Sequence, residues 1–252
     1  MTVGLLHPGE MGSAVGETLR SAGHSVLWAS AGRSAETAAR AERVGLLDAE
    51  TTEELSRRSE LILSICPPHA ALDVARSVAG FDGLFVDANA VSPATARQIA
   101  AEFEGFVDAG IVGPPPCEAG STRIYLSGRD AETVAGLFAG TALEPRVISE
   151  ESGAASALKM TYAAWTKGTA AMLLAIRALA RSEQVEAALL EEWQISLPEL
   201  PERSAAAARS AGRKGWRWIA EMEEIASTFA SADLPDGFHR AAAEVFRRAE
   251  SS

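Results

Sequence analysis

Thr2 to Leu19 reads TVGLLHPGEMGSAVGETL. Val3 to Leu6 is a short apolar run with the character of a buried strand, and beyond it Met11, Ala14, Val15 and Leu19 recur at helical spacing. Between the two lies the turn His7-Pro8-Gly9-Glu10-Met11-Gly12. A strand, a tight turn and a helix start, in that order, make a cradle for a diphosphate. The first helical N–H groups have no carbonyl to bond, and glycine lets the backbone approach the anion. The usual spacing is G-x-G-x-x-G; Gly9 and Gly12 hold its second and third positions, and His7 stands in the first. Pro8 biases His7 toward extended backbone and carries no N–H of its own. Pro8 and Gly9 are therefore expected to shape the turn, with Glu10, Met11 and Gly12 donating to the phosphates. An ordinary Gly-Pro turn in an α/β domain is the competing reading.

The chain has 252 residues, enough for one or two domains. Its 23 basic and 34 acidic residues leave a formal charge of −11, which argues against nucleic acid and anionic membrane surfaces as partners. Cys66 and Cys117 have neither metal nor redox spacing, so a reducing, cytoplasmic setting without a metal is expected. The first residues lack the pattern of a signal peptide, and no apolar run reaches the ~18 residues of a membrane-spanning helix. Lys159, Lys167 and Lys214 are the only lysines; arginine supplies the rest of the basic charge. A chain so sparing of lysine that keeps two close together invites a chemical role for one of them.

Ser25 to Trp28 reads as a second strand, followed by Ala29-Ser30-Ala31-Gly32-Arg33-Ser34. An acid at this strand end would bond the ribose hydroxyls of NAD. None is present; Ser30, Arg33 and Ser34 suit a 2′-phosphate instead, so NADP is expected over NAD. Ser34 also has the position of a helix cap for Ala35 to Ala41. Val44 to Leu46 is expected as a third strand and Leu61 to Ile65 as a fourth, running into Cys66-Pro67-Pro68 and a helix from His69 to Val78. A fifth strand, Leu84 to Asp87, ends in Asp87-Ala88-Asn89-Ala90-Val91-Ser92-Pro93 before a helix to Phe103. Phe106 to Val112, Arg123 to Ser127 and Arg146 to Ile148 complete the strands. This alternation predicts a parallel sheet with helices on both faces, in which ligands lie at strand C-terminal ends. Cys66, Pro67 and Asn89 are candidate cofactor contacts on that ground, with Ser92 beside them; the Cys66 thiol reads as a small buried side chain rather than a nucleophile.

Beyond residue 150 the pattern is helical: Gly153 to Arg181, Glu183 to Trp193, Pro201 to Ala211, Trp216 to Ala230 and Gly237 to Ala249. The expected organisation is α/β, a Rossmann-type dinucleotide-binding domain over 1–150 and an all-helical domain over 151–252. So apolar a first helix in a small helical domain would be remedied by a homodimer through the helical halves.

PGEMG, DANAVSP, DAGIVG and GAASALKM, in that order, resemble the β-hydroxyacid dehydrogenase and 6-phosphogluconate dehydrogenase superfamily, to which imine reductases are similar. The C-terminal stretch GRKGWRWIAEMEEIA is closer to a less characterised, phosphogluconate-dehydrogenase-like branch. The resemblance implies that Lys159, on the long inter-domain helix, is the general acid/base beside the nicotinamide. Reducing a carbonyl builds an alkoxide that must be protonated, and a lysine in a dry cleft can have its pKa lowered toward the working pH. Lys167, roughly 80° round the same helix, is expected at the surface or an interface.

The chain departs from the family where substrate binds. Ala163 replaces an Asn four residues after the lysine, with Tyr162 or Thr166 as stand-ins. Gly113-Pro114-Pro115-Pro116 replaces a Ser-Gly-Gly that binds a carboxylate. Val112, Gly113 and Pro114 would then form a rigid, apolar wall, for which a ketone, an imine or a larger organic substrate is at least as plausible as a small hydroxy acid. Arg213, Lys214 and Arg217 cluster beside Trp216 and Trp218, and Glu221, Glu223 and Glu224 are spaced to pair along one helix. His239 reads as a structural side chain or a proton relay. The leading expectation is an NADP-dependent dehydrogenase or reductase acting on a small molecule; the alternative is a non-catalytic NADP-binding protein.

Overall fold

The computed structural model describes residues 1–250. Its first half alternates strand and helix: β1 (Thr2–Leu6), α1 (Glu10–Ser21), β2 (Ser25–Trp28), α2 (Ala35–Arg43), β3 (Leu47–Asp48), α3 (Thr52–Arg58) and β4 (Leu61–Ser64). A 3₁₀ turn at Pro68–Ala70 leads into α4 (Ala71–Arg76), β5 (Leu84–Asp87), α5 (Pro93–Ala100) and β6 (Gly105–Val112). Then come β7 (Thr122–Ser127), α6 (Ala131–Leu137) and β8 (Leu143–Ser149). The strands form one sheet in the order β3-β2-β1-β4-β5-β6-β7-β8. The chain reverses direction across the sheet between β1 and β4, which opens a crevice at their C-terminal ends.

The central strands are Val, Leu and Ile because both faces are covered. Val3, Leu5, Leu61, Leu63 and Val86 pack into one apolar layer with Val15 and Leu19 of α1. Leu6, Ile62 and Phe85 point the other way, against Leu55 of α3, Val74 of α4 and Ile99 of α5. Side chains set three helix starts: Ser34, Thr51 and Ser92 accept the N–H groups of Thr37, Glu54 and Thr95.

Several expectations need correction. The third strand is Leu47–Asp48, not Val44 to Leu46, because Gly45 turns the chain out of α2 with φ 69° and leaves Val44 and Leu46 as buried anchors. The helix placed over His69 to Val78 is the 3₁₀ turn and the short α4. The sheet is not wholly parallel: β7 runs antiparallel to β6, since the loop joining them contains no crossover helix.

The helical part comprises α7 (Ala154–Ser182), α8 (Glu186–Ser196), α9 (Leu200–Ser231) and α10 (Gly237–Glu250). The chain divides into two compact units, Met1–Lys159 and Met160 onward, so the first turn of α7 is built into the sheet unit. Residues 251 and 252 of the expected helical domain lie outside the described residues. The two helices expected over 201–211 and 216–230 are one, because Gly212 and Gly215 each cost a helix only about 1 kcal/mol and α9 packs against α8 and α10. Glu221 and Glu223 pair across helices rather than along α9: Glu221 with Lys167 of α7, and Glu223 with Arg247 of α10. Trp218 meets Phe246 edge to face, and Arg217 lies 4.9 Å over the Trp216 ring. His239 is packed between Phe229 and Phe238 and has its pKa lowered by burial, the surroundings of a core side chain.

Candidate active site

The turn after β1 begins the site. His7 is not extended as Pro8 led us to expect; its φ is 69°, the left-handed conformation a first glycine would take. The Gly9 N–H closes the turn on the His7 carbonyl at 2.7 Å, and Gly12 comes so near that a Cβ there would lie 2.5 Å from the same oxygen. Pro8 and Gly9 thus lead directly into α1, whose first turn is Glu10, Met11 and Gly12. Arg40 of α2 reaches the Pro8 carbonyl at 3.4 Å while paired with Glu36 at 2.6 Å. Arg40 carries no functional signal in the sequence, because its spacing from Glu36 is that of an ordinary surface helix pair.

Two buried polar atoms beside this turn have no protein partner, His7 Nδ1 and Arg33 Nε. Burial, and then the charge of Arg33, lower the His7 pKa to about 4, so the ring is neutral near pH 7. Arg33 also bears on Cys66 across the crevice. N–H-rich surroundings with the unsatisfied Arg33 Nε–H donor fit a dinucleotide phosphate. Ser30 accepts the Arg33 N–H, and the Ser34 hydroxyl caps α2.

At the ends of β4 and β5, Asn89 binds neighbouring protein. Its Oδ1 accepts the Cys66 N–H at 2.5 Å, and its Nδ2 donates to Ser64 Oγ at 3.1 Å and to Asp87. The amide therefore holds the Cys66-Pro67 loop in place. Burial, and then Asp87, push the Cys66 thiol up to about 12, which makes it a poor nucleophile.

At β6 the segment Asp108 to Val112 meets the start of α7. Asp108, fully buried, accepts Ser127 Oγ at 3.0 Å, the Ser156 N–H at 2.9 Å and Ser156 Oγ at 2.6 Å. Ser127 Oγ accepts the Ala155 N–H at 3.0 Å. A Cβ on Gly110 would lie 2.9 Å from the Ala155 carbonyl and 3.0 Å from Lys159 Cβ, so glycine lets helix and strand touch. Lys159, half-buried, donates from Nζ to the Ile111 carbonyl at 2.5 Å. Val112 is buried, and Gly113 and Pro114 are exposed in the loop that follows, with Thr122 Oγ1 donating to the Pro114 carbonyl at 2.6 Å. Asp108 and Ser156 were missed from sequence; the available signal was an acid inside the otherwise apolar run FVDAGIV.

Tyr162 and Thr166 are exposed on α7. Ala163 is fully buried. Lys167 pairs with Glu221 within the helical unit. Among the described residues no three His, Cys, Asp or Glu side chains are grouped to hold a metal, and no helix is long and apolar enough to cross a membrane.

A doubly wound sheet with a tight glycine turn after β1 and a lysine seated at the end of β6 has the architecture of the NAD(P)-dependent dehydrogenases and reductases. Residues 2–109 match the family described as NADP oxidoreductase coenzyme F420-dependent, and residues 180–249 match a domain of unknown function, DUF1932. The chain is 31% identical over 195 residues to the uncharacterized 28.5 kDa protein in 7S RNA 5′ region of Methanothermus fervidus, covering 76% of this chain and 75% of that one. It belongs to the family of that protein, within the hydroxyacid-dehydrogenase-like superfamily. A solved conserved protein of unknown function, described as structurally similar to 3-hydroxyacid dehydrogenases, aligns with a TM-score of 0.73 at 29% identity, covering 100% of this chain and 97% of that one. The 3-hydroxyisobutyrate dehydrogenase of Mycobacterium tuberculosis shares the fold, with a TM-score of 0.75 at 15% identity over 100% of this chain and 94% of that one.

Proposed function

We propose that this protein is an NADP-dependent oxidoreductase moving a hydride between the nicotinamide and a carbonyl, hydroxyl or imine carbon, with Lys159 as general acid/base. The observation that carries the reading is Lys159 Nζ, held 2.5 Å from the Ile111 carbonyl at the end of β6. Doubly wound folds take their ligands at the C-terminal ends of their strands. A bound reduced nicotinamide supplies the hydride and both electrons. Lys159 supplies the proton: an ammonium N–H bond breaks as the substrate oxygen or nitrogen takes the proton, and the neutral amine takes it back in the reverse direction.

Preference for NADP rests on Arg33, whose buried Nε has no protein partner, and on the absence of an acid from Ala29 to Ser34. Pro8, Gly9, Glu10, Met11 and Gly12 would hold the diphosphate, with Ser30, Ser34 and the Cys66-Pro67 loop, braced by Asn89, around the rest. Val112, Gly113 and Pro114 offer a substrate apolar contacts and no hydroxyl, which suits a ketone, an imine or a larger organic substrate at least as well as a small hydroxy acid. The acidic charge and the two free cysteines support a cytoplasmic protein that binds neither nucleic acid nor membrane.

A homodimer through the helical unit belongs to the same reading. Tyr162, Trp165, Met172, Ile176 and Leu179 are exposed on α7 and, with Thr169, alternate by three and four residues, the period of a helix-pairing seam. Light scattering on wild type and Ile176→Glu, expected to give a dimer and a monomer, tests it.

The deciding experiment follows nicotinamide fluorescence during titration with NADPH and with NADH, on wild type and Arg33→Ala. Selective NADPH binding weakened by Arg33→Ala, then turnover in a ketone and imine screen lost in Lys159→Ala, is the expected result. Binding of neither nucleotide overturns the reading. Selective binding with no turnover would favour the non-catalytic alternative, which draws on the buried Ala163 in place of a substrate-orienting amide.

A further inference from the structure

We propose that Asp108 is a positioning residue for Lys159: from the middle of β6 its buried carboxylate holds down the first turn of α7 and so sets where Lys159 Nζ meets the Ile111 carbonyl. The catalytic meaning of this rests on Lys159 being the acid/base; the coupling between the two residues does not.

The contacts run in one direction. Asp108 takes both the N–H and the hydroxyl of Ser156, and through Ser127 Oγ it is linked to the Ala155 N–H. These N–H groups belong to the first turn of α7, where a helix has no carbonyls of its own to offer. A carboxylate there also meets the positive end of the helix dipole. A buried carboxylate persists only where donors satisfy it, and those named come from the α7 start and the neighbouring strand β7. The Gly153 N–H adds to them.

The spacing explains why Lys159 depends on this anchor. Asp108 and Ile111 are separated by ~10 Å along an extended strand. Ser156 and Lys159, the residues bonded to them, are separated by only ~4.5 Å along a helix. The lysine side chain spans the difference, and it does so only while the first turn stays pressed to the strand. Gly110 lies between the two anchors, with room for no side chain between strand and helix. Releasing the turn from Asp108 lets the backbone of Lys159 lift away, and Nζ leaves the Ile111 carbonyl.

Having three lysines makes the test direct. The full chain is labelled with trace acetic anhydride near neutral pH, and acetylation at Lys159, Lys167 and Lys214 is read by mass spectrometry. Wild type is compared with Asp108→Asn, Ser127→Ala and Ser127→Thr. The expected result is a rise in the Lys159 rate relative to the other two lysines in Asp108→Asn and Ser127→Ala. The rise should be on the order of tenfold, the weight of one hydrogen bond. Ser127→Thr, which keeps the hydroxyl, should restore the wild-type ratio. If Asp108→Asn does not fold, Ser127→Ala carries the comparison. An unchanged Lys159 ratio in folded Ser127→Ala, or an equal rise at all three lysines, overturns the proposal. Turnover surviving in Lys159→Ala would instead overturn the assignment of Lys159 and leave the coupling standing.

Discussion

Asp87 and Asp108 are register partners on β5 and β6, and both carboxyl groups are buried. Asp108 is surrounded by donors, whereas Asp87 Oδ2 has none. Burial, and then the charge of Asp108, push the Asp87 carboxyl up to about 8. Burial raises the Asp108 carboxyl as well, but hydrogen bonds from Ser156, Ser127 and Gly153 draw it back down, so the proton of the pair is held on Asp87. An unfolded Asp ionises near 4, so between about pH 4 and about pH 8 the folded chain holds a proton that the unfolded chain releases. Stability should fall through that window by up to ~1.4 kcal/mol per pH unit and level off above it. Asp87→Asn removes this titration. Urea denaturation from about pH 5 to about pH 9 should give a flatter profile than wild type, with the largest gain at the alkaline end; identical slopes would show that Asp87 does not hold the proton.

His7 works in the opposite sense. Its pKa is depressed from 6.5 to about 4, so its contribution is fully present above about pH 6.5 and is lost as the pH falls toward 4. Its left-handed backbone also costs an L-residue ~1–2 kcal/mol that glycine does not incur. His7→Gly should leave the turn intact, match or exceed wild-type stability near neutral pH, and lose part of the acid-side decline. Thermal melts at about pH 5 and about pH 7 compare the two. A large loss of stability at neutral pH would mean the imidazole packing outweighs the strain.

Gly110→Ala forces a methyl group against the Ala155 carbonyl and Lys159 Cβ. Overpacking of this kind costs ~1–3 kcal/mol. The expected result is a lower denaturation midpoint together with faster acetylation of Lys159. Wild-type behaviour on both measures would mean α7 can shift outward at little cost.

Lys167 and Glu221 are 15% and 14% exposed and join α7 to α9. Lys167→Met leaves a largely covered carboxylate without its partner and should cost ~1–3 kcal/mol, between a surface bridge and a fully buried pair. Changing Glu221→Leu as well should recover most of the loss, because two apolar side chains replace two desolvated charges. Calorimetry on both variants distinguishes this pair from a surface bridge, whose loss would cost ~1 kcal/mol or less.

Where neighbours in the chain act on one another, the sequence was legible. The run Val3 to Leu6 and the helix pattern after it place β1, the tight turn and α1. The strand–helix alternation places the doubly wound sheet, and the motif around Lys159 places a lysine on the first turns of α7. Legibility ended where a residue's state depends on atoms distant in the chain. Pro8 points His7 toward extended backbone, but in the fold His7 is left-handed, its carbonyl accepting the Gly9 N–H and lying close against Gly12. Glu221 and Glu223 have helical spacing, yet their cations stand on other helices. Asn89 looked available to a ligand, and its amide is bound by Cys66, Ser64 and Asp87.

Local periodicity, turn chemistry and the single lysine motif were thus enough to establish by sequence alone a dinucleotide-binding sheet followed by helices, because each depends on bonds and sterics within a few residues. The proton on Asp87, the anchoring of α7 by Asp108 and the seating of Lys159 on Ile111 arose only on folding. Each is an interaction between residues more than 20 positions apart or on different strands, whose strength comes from burial that no short stretch of chain possesses.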